Sequence, residues 1–450
     1  SCFNFVEGAT RTIMISFVKK PPETWVTGSF LQNKLRMIFV ATRVPYPPVT
    51  GHYLRTLNIL RGLSRHFEVH FFGFRDKDHN PAQQAAAEEA LSEFCATVHI
   101  EHLRAERSKI WVLVDLVVSL LKCLPYTATK YRSRSMHRAI RAMLADGSVT
   151  VAHADSLQSG QYLEDVSVPK LLTNHNVEYR RLFSHAAQQK FAPYRLALKM
   201  QGWLTLRYER ETVRSIGNCV VVSESDRTEL ARLVPDARLF LVRNGADTSL
   251  PPLAPADRFA LTALWVGGMN DPFNREGVLH FAARVLPRIL EELPLFRWHV
   301  VGRDPPLALR DLAKGQGSGV ELAGYVPDLR DAYERSAIVV VPLLSGGGTK
   351  LKVLEAMAMG RAVVTTSTGA EGIDARAGVE MEIAATDEDF AQKVCGLLRD
   401  PERRDRMAVA ARALAERNFG WDVVNAQMLS AVESAIRSTN PSQPAVPCAE

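Results

Sequence analysis

Short apolar runs alternate with longer segments of helical period along most of this chain. In the first half, runs at Met37–Ala41, Glu68–Phe72, Thr97–Glu101, Thr150–His153, Lys170–Thr173, Cys219–Val222 and Leu239–Val242 read as strands. A proline-rich break, Leu250-Pro251-Pro252-Leu253-Ala254-Pro255, reads as a linker. The alternation restarts at Leu261–Val266 and continues through Trp298–Val301, Val320–Ala323, Ile338–Val341 and Ala362–Thr365. Continuously apolar strands are those of parallel sheets with helices on both faces. The repeated strand–helix order predicts two Rossmann-like units with a cleft between them. Ligands of open α/β sheets bind beyond the carboxyl ends of the strands, so that cleft is the expected site.

The most specific segment is Pro342-Leu343-Leu344-Ser345-Gly346-Gly347-Gly348-Thr349-Lys350-Leu351-Lys352-Val353-Leu354-Glu355. It predicts a strand breaking into three glycines and then a helix, with Thr349 as its cap and Gly360 at its end. Gly346, Gly347 and Gly348 let a ligand approach the backbone, and the first helical turn favours an anion. Lys350 and Lys352 add positive charge, and Glu355 follows one turn later. Phosphates at the glycines and ribose hydroxyls at the carboxylate fit this order. The spacing is neither Gly-x-Gly-x-x-Gly nor a P-loop.

Several further segments accompany it. Pro45-Tyr46-Pro47-Pro48-Val49-Thr50-Gly51 follows the first strand, and Thr173-Asn174-His175-Asn176-Val177-Glu178 follows another. Val222-Ser223-Glu224-Ser225-Asp226 and Arg243-Asn244-Gly245-Ala246-Asp247 close the first half. The second half opens on Trp265-Val266-Gly267-Gly268-Met269-Asn270-Asp271-Pro272-Phe273-Asn274 and carries Val300-Val301-Gly302-Arg303 and Gly324-Tyr325-Val326-Pro327-Asp328. Together, from Leu35 to about Arg437, these resemble the family 4 retaining glycosyltransferases of the GT-B fold.

That resemblance implies roles. Gly51 approaches the donor phosphates, His175 faces the reacting sugar, and the loops at Arg303 and Val326 surround the donor base. Gly346 to Thr349, with Lys350, Lys352 and Glu355, hold the diphosphate and ribose. The chain also departs from the family. Gly268 and Asn274 stand where much of it has an arginine and a lysine for the diphosphate, and Gly347 stands where the first glutamate of a Glu-x7-Glu pair belongs. Lys350 or Lys352 can replace the missing charge. The implied domains are an acceptor domain over 35–249, a donor domain over 250–420, and a helix over 421–437 crossing back to the first.

The implied reaction is retaining transfer of a sugar from a nucleotide-diphosphate sugar to a saccharide or lipid-linked acceptor, in cell-surface or exopolysaccharide synthesis. The leaving phosphate accepts the proton, and no cofactor or metal is expected. A nucleotide-sugar 2-epimerase and a non-catalytic nucleotide-sugar-binding subunit remain alternatives, the second motivated by the missing Glu, Arg and Lys. Asp387-Glu388-Asp389 superficially offers an Asp-x-Asp metal site, but behind Thr386 it reads as a helix start.

Composition narrows the setting. With 450 residues and 46% hydrophobic content the chain can bury two domain cores. Six cysteines without a Cys-x-x-Cys pair indicate neither a disulfide framework nor a zinc site, which suits a reducing cytoplasm. The net charge of +6 is uneven: Arg104–Leu144 holds nine Lys/Arg against two acids, and Arg180–Arg214 eight against two. Solvated helix faces explain many such runs. The sharper expectation is an anionic membrane surface, at the inner face of the cytoplasmic membrane, or an acidic lipid-linked acceptor; nucleic acid is not expected. The apolar stretch Ile110–Leu124 contains Asp115, is too short to span a bilayer, and reads as a core or interfacial helix. Residues 1–34 lack periodicity and an initiator Met, suggesting an extension or a misplaced start, and the tail 438–450 is expected to be disordered.

Overall fold

The computed structural model describes residues 34–48, 50–75, 80–103, 109–326 and 328–439. The expectations for residues 1–34 and for the tail lie almost wholly outside them. Ser438 and Thr439, expected in that tail, instead form the last residues of a helix that runs Trp421–Thr439.

Seven parallel strands form the first sheet: β1 (Leu35–Val40), β2 (Phe67–Phe74), β3 (Thr97–Glu101), β4 (Val149–Ala154), β5 (Lys170–Asn174), β6 (Asn218–Val221) and β7 (Arg238–Leu241). Their order is β3-β2-β1-β4-β5-β6-β7. Six more form the second: β8 (Thr262–Val266), β9 (Arg297–Val301), β10 (Val320–Gly324), β11 (Ile338–Val341), β12 (Ala362–Thr366) and β13 (Glu382–Ala384), in the order β10-β9-β8-β11-β12-β13. Each sheet therefore reverses direction once, between β1 and β4 and between β8 and β11. Such reversals open the crevices in which α/β proteins hold ligands.

Every strand expected from the apolar runs is present to within about two residues. β13 was not expected: it is three residues long, and its Glu382 is buried against Arg403. Apolar layers cover both faces of each sheet. The helix Trp421–Thr439 belongs to the first sheet's layer, where Val424, Met428, Val432 and Ile436 join Met37, Phe39 and Val69. Their spacing of four places them on one helical face, and each buried aliphatic side chain contributes roughly 2 kcal/mol. The second half is thereby tied to the first.

The helix Lys109–Leu121 is not core. Ile110 and Leu121 are 72% and 80% exposed, and Ser119 is the one residue of its described side chains that is buried. Among the described residues no helix is long and apolar enough to cross a membrane.

Candidate active site in the cleft

Residues from both reversal points converge between the sheets. Gly51 opens the helix after β1, and a Cβ there would lie 2.1 Å from the Leu351 Cδ1 of the second half. Only a glycine lets the two walls meet this closely. A Cβ on Gly348 would come within 3.0 Å of Asn176 Oδ1, beside His175.

The second-half wall is built on the glycine loop. Gly346 and Gly348 have φ of 104° and 77°, a left-handed backbone that branched residues resist. Lys350 Nζ turns back onto this loop, donating to Gly346 O (2.9 Å) and Gly348 O (2.6 Å). Burial lowers its pKa, opposed by Glu371 at 3.8 Å. Lys350 is also the residue that precedes the Leu351–Ala358 helix as its cap. Thr349 is not the expected cap: its buried Oγ1 has no hydrogen-bond partner, because the chain is still extended at Lys350. Gly360, with φ of 71°, closes the helix as expected. Gly347 has open space where a side chain would stand.

Lys352 lies deeper. Its Nζ donates to Asn274 Oδ1 at 2.8 Å and sits 4.5 Å from the Trp265 ring centroid, while Asn274 Nδ2 donates to Gly268 O at 2.9 Å. This helix thus brings a cation to Asn274, where much of the resembled family has a lysine. Burial pushes the Lys352 pKa down to about 7, with Asp271 opposing and Lys350 reinforcing the shift. One turn on, Glu355 accepts a hydrogen bond from the buried Tyr333 hydroxyl (3.2 Å), and burial raises its pKa to about 7 against the pull of Tyr333 and Lys352. Each group is driven toward its neutral form, the mark of a site poised for a ligand.

Arg303 and Val326 lie on the neighbouring loops. The Arg303 guanidinium stacks on Tyr325, 4.2 Å from the ring centroid, and its carbonyl accepts from Met269 N at 2.9 Å. Val326 packs against the apolar layer that contains Val301 and Tyr333. The Asp387-Glu388-Asp389 run starts a helix capped by the Thr386 hydroxyl.

The first-half wall is built from Asp155, at the end of β4, and His175, at the end of β5. His175 Nε2 is 2.8 Å from Asp155 O and 3.3 Å from Asp155 Oδ1, and its ring meets His52 edge-on at 4.4 Å. Thr56 Oγ1 donates to the other Asp155 oxygen at 2.5 Å. Burial pushes the Asp155 carboxyl up, but His175, His52 and His153 outweigh it and hold the group below the usual carboxylate range. His52 is pushed down to about 4, mainly by burial and then by His175. Among the described residues, His52, Asp155 and His175 are the one group that brings metal-ligand atoms within 4.8 Å of one another. Those atoms already bond or stack with one another.

Glu209 supports the same loop from below. Its carboxylate accepts from Asn174 Nδ2 (2.8 Å) and from the backbone N–H groups of Glu178 and Tyr179 (both 3.3 Å), and burial raises its pKa to about 8. It serves the first turn of the Glu178–Gln188 helix, whose own cap residue, Val177, has no side-chain acceptor. Sequence reading missed Asp155, His52, Glu209 and Tyr333. Asp155 alone left a trace, as an acid directly after a buried strand.

The fold and cleft define a GT-B protein, with two Rossmann-like parallel-sheet domains facing each other. Residues 260–400 match the family Glycosyl transferases group 1. A phosphatidyl-myo-inositol mannosyltransferase of Mycobacterium leprae is 27% identical over 344 residues, covering 72% of this chain and 86% of that protein. An uncharacterized 44.6 kDa protein in the cps region of Klebsiella pneumoniae is 27% identical over 172 residues, 36% of this chain and 44% of that protein. Sucrose-phosphate synthase from Thermosynechococcus elongatus shares the fold with a TM-score of 0.63 at 16% identity, covering 90% of this chain and all of that one. The family match over the second domain, and the likeness to the mycobacterial protein over 72% of the chain, support the expected resemblance to the group 1, family 4 glycosyltransferases.

Proposed function

We propose that this protein is a retaining hexosyltransferase that moves a sugar from a nucleotide-diphosphate sugar to a saccharide or lipid-linked acceptor, working in the cytoplasm at the inner face of the membrane in cell-surface polysaccharide synthesis. The observation that carries this reading is Lys352, a half-buried cation fixed on Asn274 and next to Gly267, on the helix that follows the glycine loop. A diphosphate at that loop meets the Gly346–Gly348 backbone, the N–H groups opening the Leu351–Ala358 helix, and the Lys352 ammonium. Glu355, one turn away, suits a ribose hydroxyl. Gly51 allows the closure that excludes water.

In the reaction the anomeric carbon–oxygen bond to the diphosphate breaks while the acceptor oxygen bonds to that carbon on the same face. The acceptor's proton passes to a leaving phosphate oxygen. Charge grows on the diphosphate, where Lys352 stabilises it most, and His175, oriented by Asp155, lines the sugar side. No metal is part of this reading. The name of the mycobacterial relative supports a lipid-linked acceptor, and the cps setting of the Klebsiella relative supports polysaccharide synthesis.

Release of nucleoside diphosphate from a panel of UDP-, GDP-, ADP- and TDP-sugars, with and without a membrane lipid extract, tests it. Release from one donor, raised by the extract and abolished in Lys352→Met, is the expected result. Tight donor binding with no release under any acceptor would replace it with the binding-subunit reading.

A further inference from the structure

Of the nineteen large hydrophobic residues exposed among the described ones, eleven lie on two helices of the first domain and a twelfth, Phe191, directly precedes the second. The helix Lys109–Leu121 presents Ile110, Val117, Leu120 and Leu121 to solvent, and the start of the helix Ala192–Ile216 presents Leu196, Met200 and Trp203, with Phe191 just before it. Single exposed apolar residues are ordinary, but a concentration of this kind marks a surface that something covers. The helices meet where the turn after Leu121 reaches the second helix, with Tyr126 N donating to Gln201 Oε1 at 2.9 Å.

Charge identifies the cover. Arg195 and Lys199 are exposed among the apolar residues of the second helix and Lys190 just before it, and none has an ion-pair partner among the described residues. Lys122 is likewise exposed at the end of the first. Interleaved basic and apolar side chains, with no acid between Lys190 and Trp203, suit the boundary between anionic headgroups and acyl chains. The position fits as well. The helix Glu178–Gln188 runs from the His175 loop to the turn at Phe191, about 15 Å at 1.5 Å per residue, so the surface lies one short helix from the cleft.

We infer that these two helices form a docking face for an anionic lipid bilayer, with Ile110, Leu121, Phe191 and Trp203 entering the interface and Lys190, Arg195 and Lys199 meeting the headgroups. The inference does not depend on the catalytic reading. A lipid-linked acceptor held at this face would reach the cleft along the helix Glu178–Gln188.

Flotation of the full chain with phosphatidylcholine vesicles and with equimolar phosphatidylcholine–phosphatidylglycerol vesicles tests it. Binding to the mixed vesicles only, weakened by high salt, is expected. Exchange of Ile110, Leu121, Phe191 and Trp203 to Ser should cut that binding at least ~10-fold, and exchange of Lys190, Arg195 and Lys199 to Ser by ~100-fold. All seven are exposed, so the melting temperature should stay unchanged and show that loss of binding is not loss of fold. Equal binding to both vesicle types, no binding by the wild type, or variants that float like it would overturn the inference. So would a dimer that the apolar variant converts to monomer. Donor binding, measured on the same samples, is expected to be unaffected.

Discussion

The two walls of the cleft handle buried charge in opposite ways. On the first-half wall Asp155 is answered on both oxygens, by Thr56 and by His175, and its neighbours hold it ionised. On the second-half wall Lys352 and Glu355 stand one turn apart with neutral partners, Asn274 and Tyr333, and burial drives both toward neutrality. A wall whose charges are internally satisfied is a scaffold. Charges hydrogen-bonded only to neutral partners, as Lys352 and Glu355 are, gain most from a charged ligand.

The largest effect that sharpens this contrast is on turnover. Lys352→Met should lower diphosphate release ~100-fold or more, the usual loss for one transition-state donor. Lys350→Met should cost less, since that ammonium is tied to loop carbonyls. Equal losses would blur the distinction between the two lysines.

Stability should show the reverse order. Asp155→Ala removes the acceptor of Thr56 and the partner of His175, and should destabilise the protein by about 3 kcal/mol in urea unfolding. Lys352→Met should instead stabilise it near neutral pH, by on the order of 2 kcal/mol. Loss of stability in Lys352→Met would contradict the unmatched-charge account.

The pH dependence follows from the same shifts. Glu355, near 7 when folded and near 4.5 when unfolded, holds a proton in the folded state that the unfolded state has lost between those values. Its contribution to stability therefore falls as pH rises from 4.5 to 7. Lys352, near 7 folded and 10.5 unfolded, gives the opposite slope: the unfolded state holds the extra proton, so stability rises from pH 7 to 10.5. Melting curves of Glu355→Gln should lose the first slope and keep the second.

The smallest effect is steric. Gly51→Ala places a methyl against the flexible Leu351 side chain, so stability should change by about 1 kcal/mol while donor KM rises several-fold. A donor KM equal to wild type would show that the walls need not meet there.

The sequence made one wall more legible than the other. The glycine loop, its lysines and Glu355 are contiguous, so spacing alone grouped them. The Asp155–Thr56–His175–His52 wall is assembled from three segments far apart in the chain, and only the sheet order brings them together. The Lys352–Asn274 contact spans 78 residues and was equally invisible, although both residues had been singled out separately. β13 was missed because three residues with a buried Glu carry no strand period, and Thr349 failed as a cap because the helix begins one residue later than its chemistry suggests.

The most direct test of the central claim is proton linkage on donor binding. Calorimetry at about pH 8 in buffers of different ionisation enthalpy measures the protons taken up when the donor nucleotide sugar identified by the release assay binds. With Glu355→Gln as background, a diphosphate seated at Lys352 should draw a fraction of a proton onto that amine, and the uptake should vanish in Glu355→Gln/Lys352→Met. Uptake unchanged by the second substitution would place the diphosphate elsewhere and contradict the account.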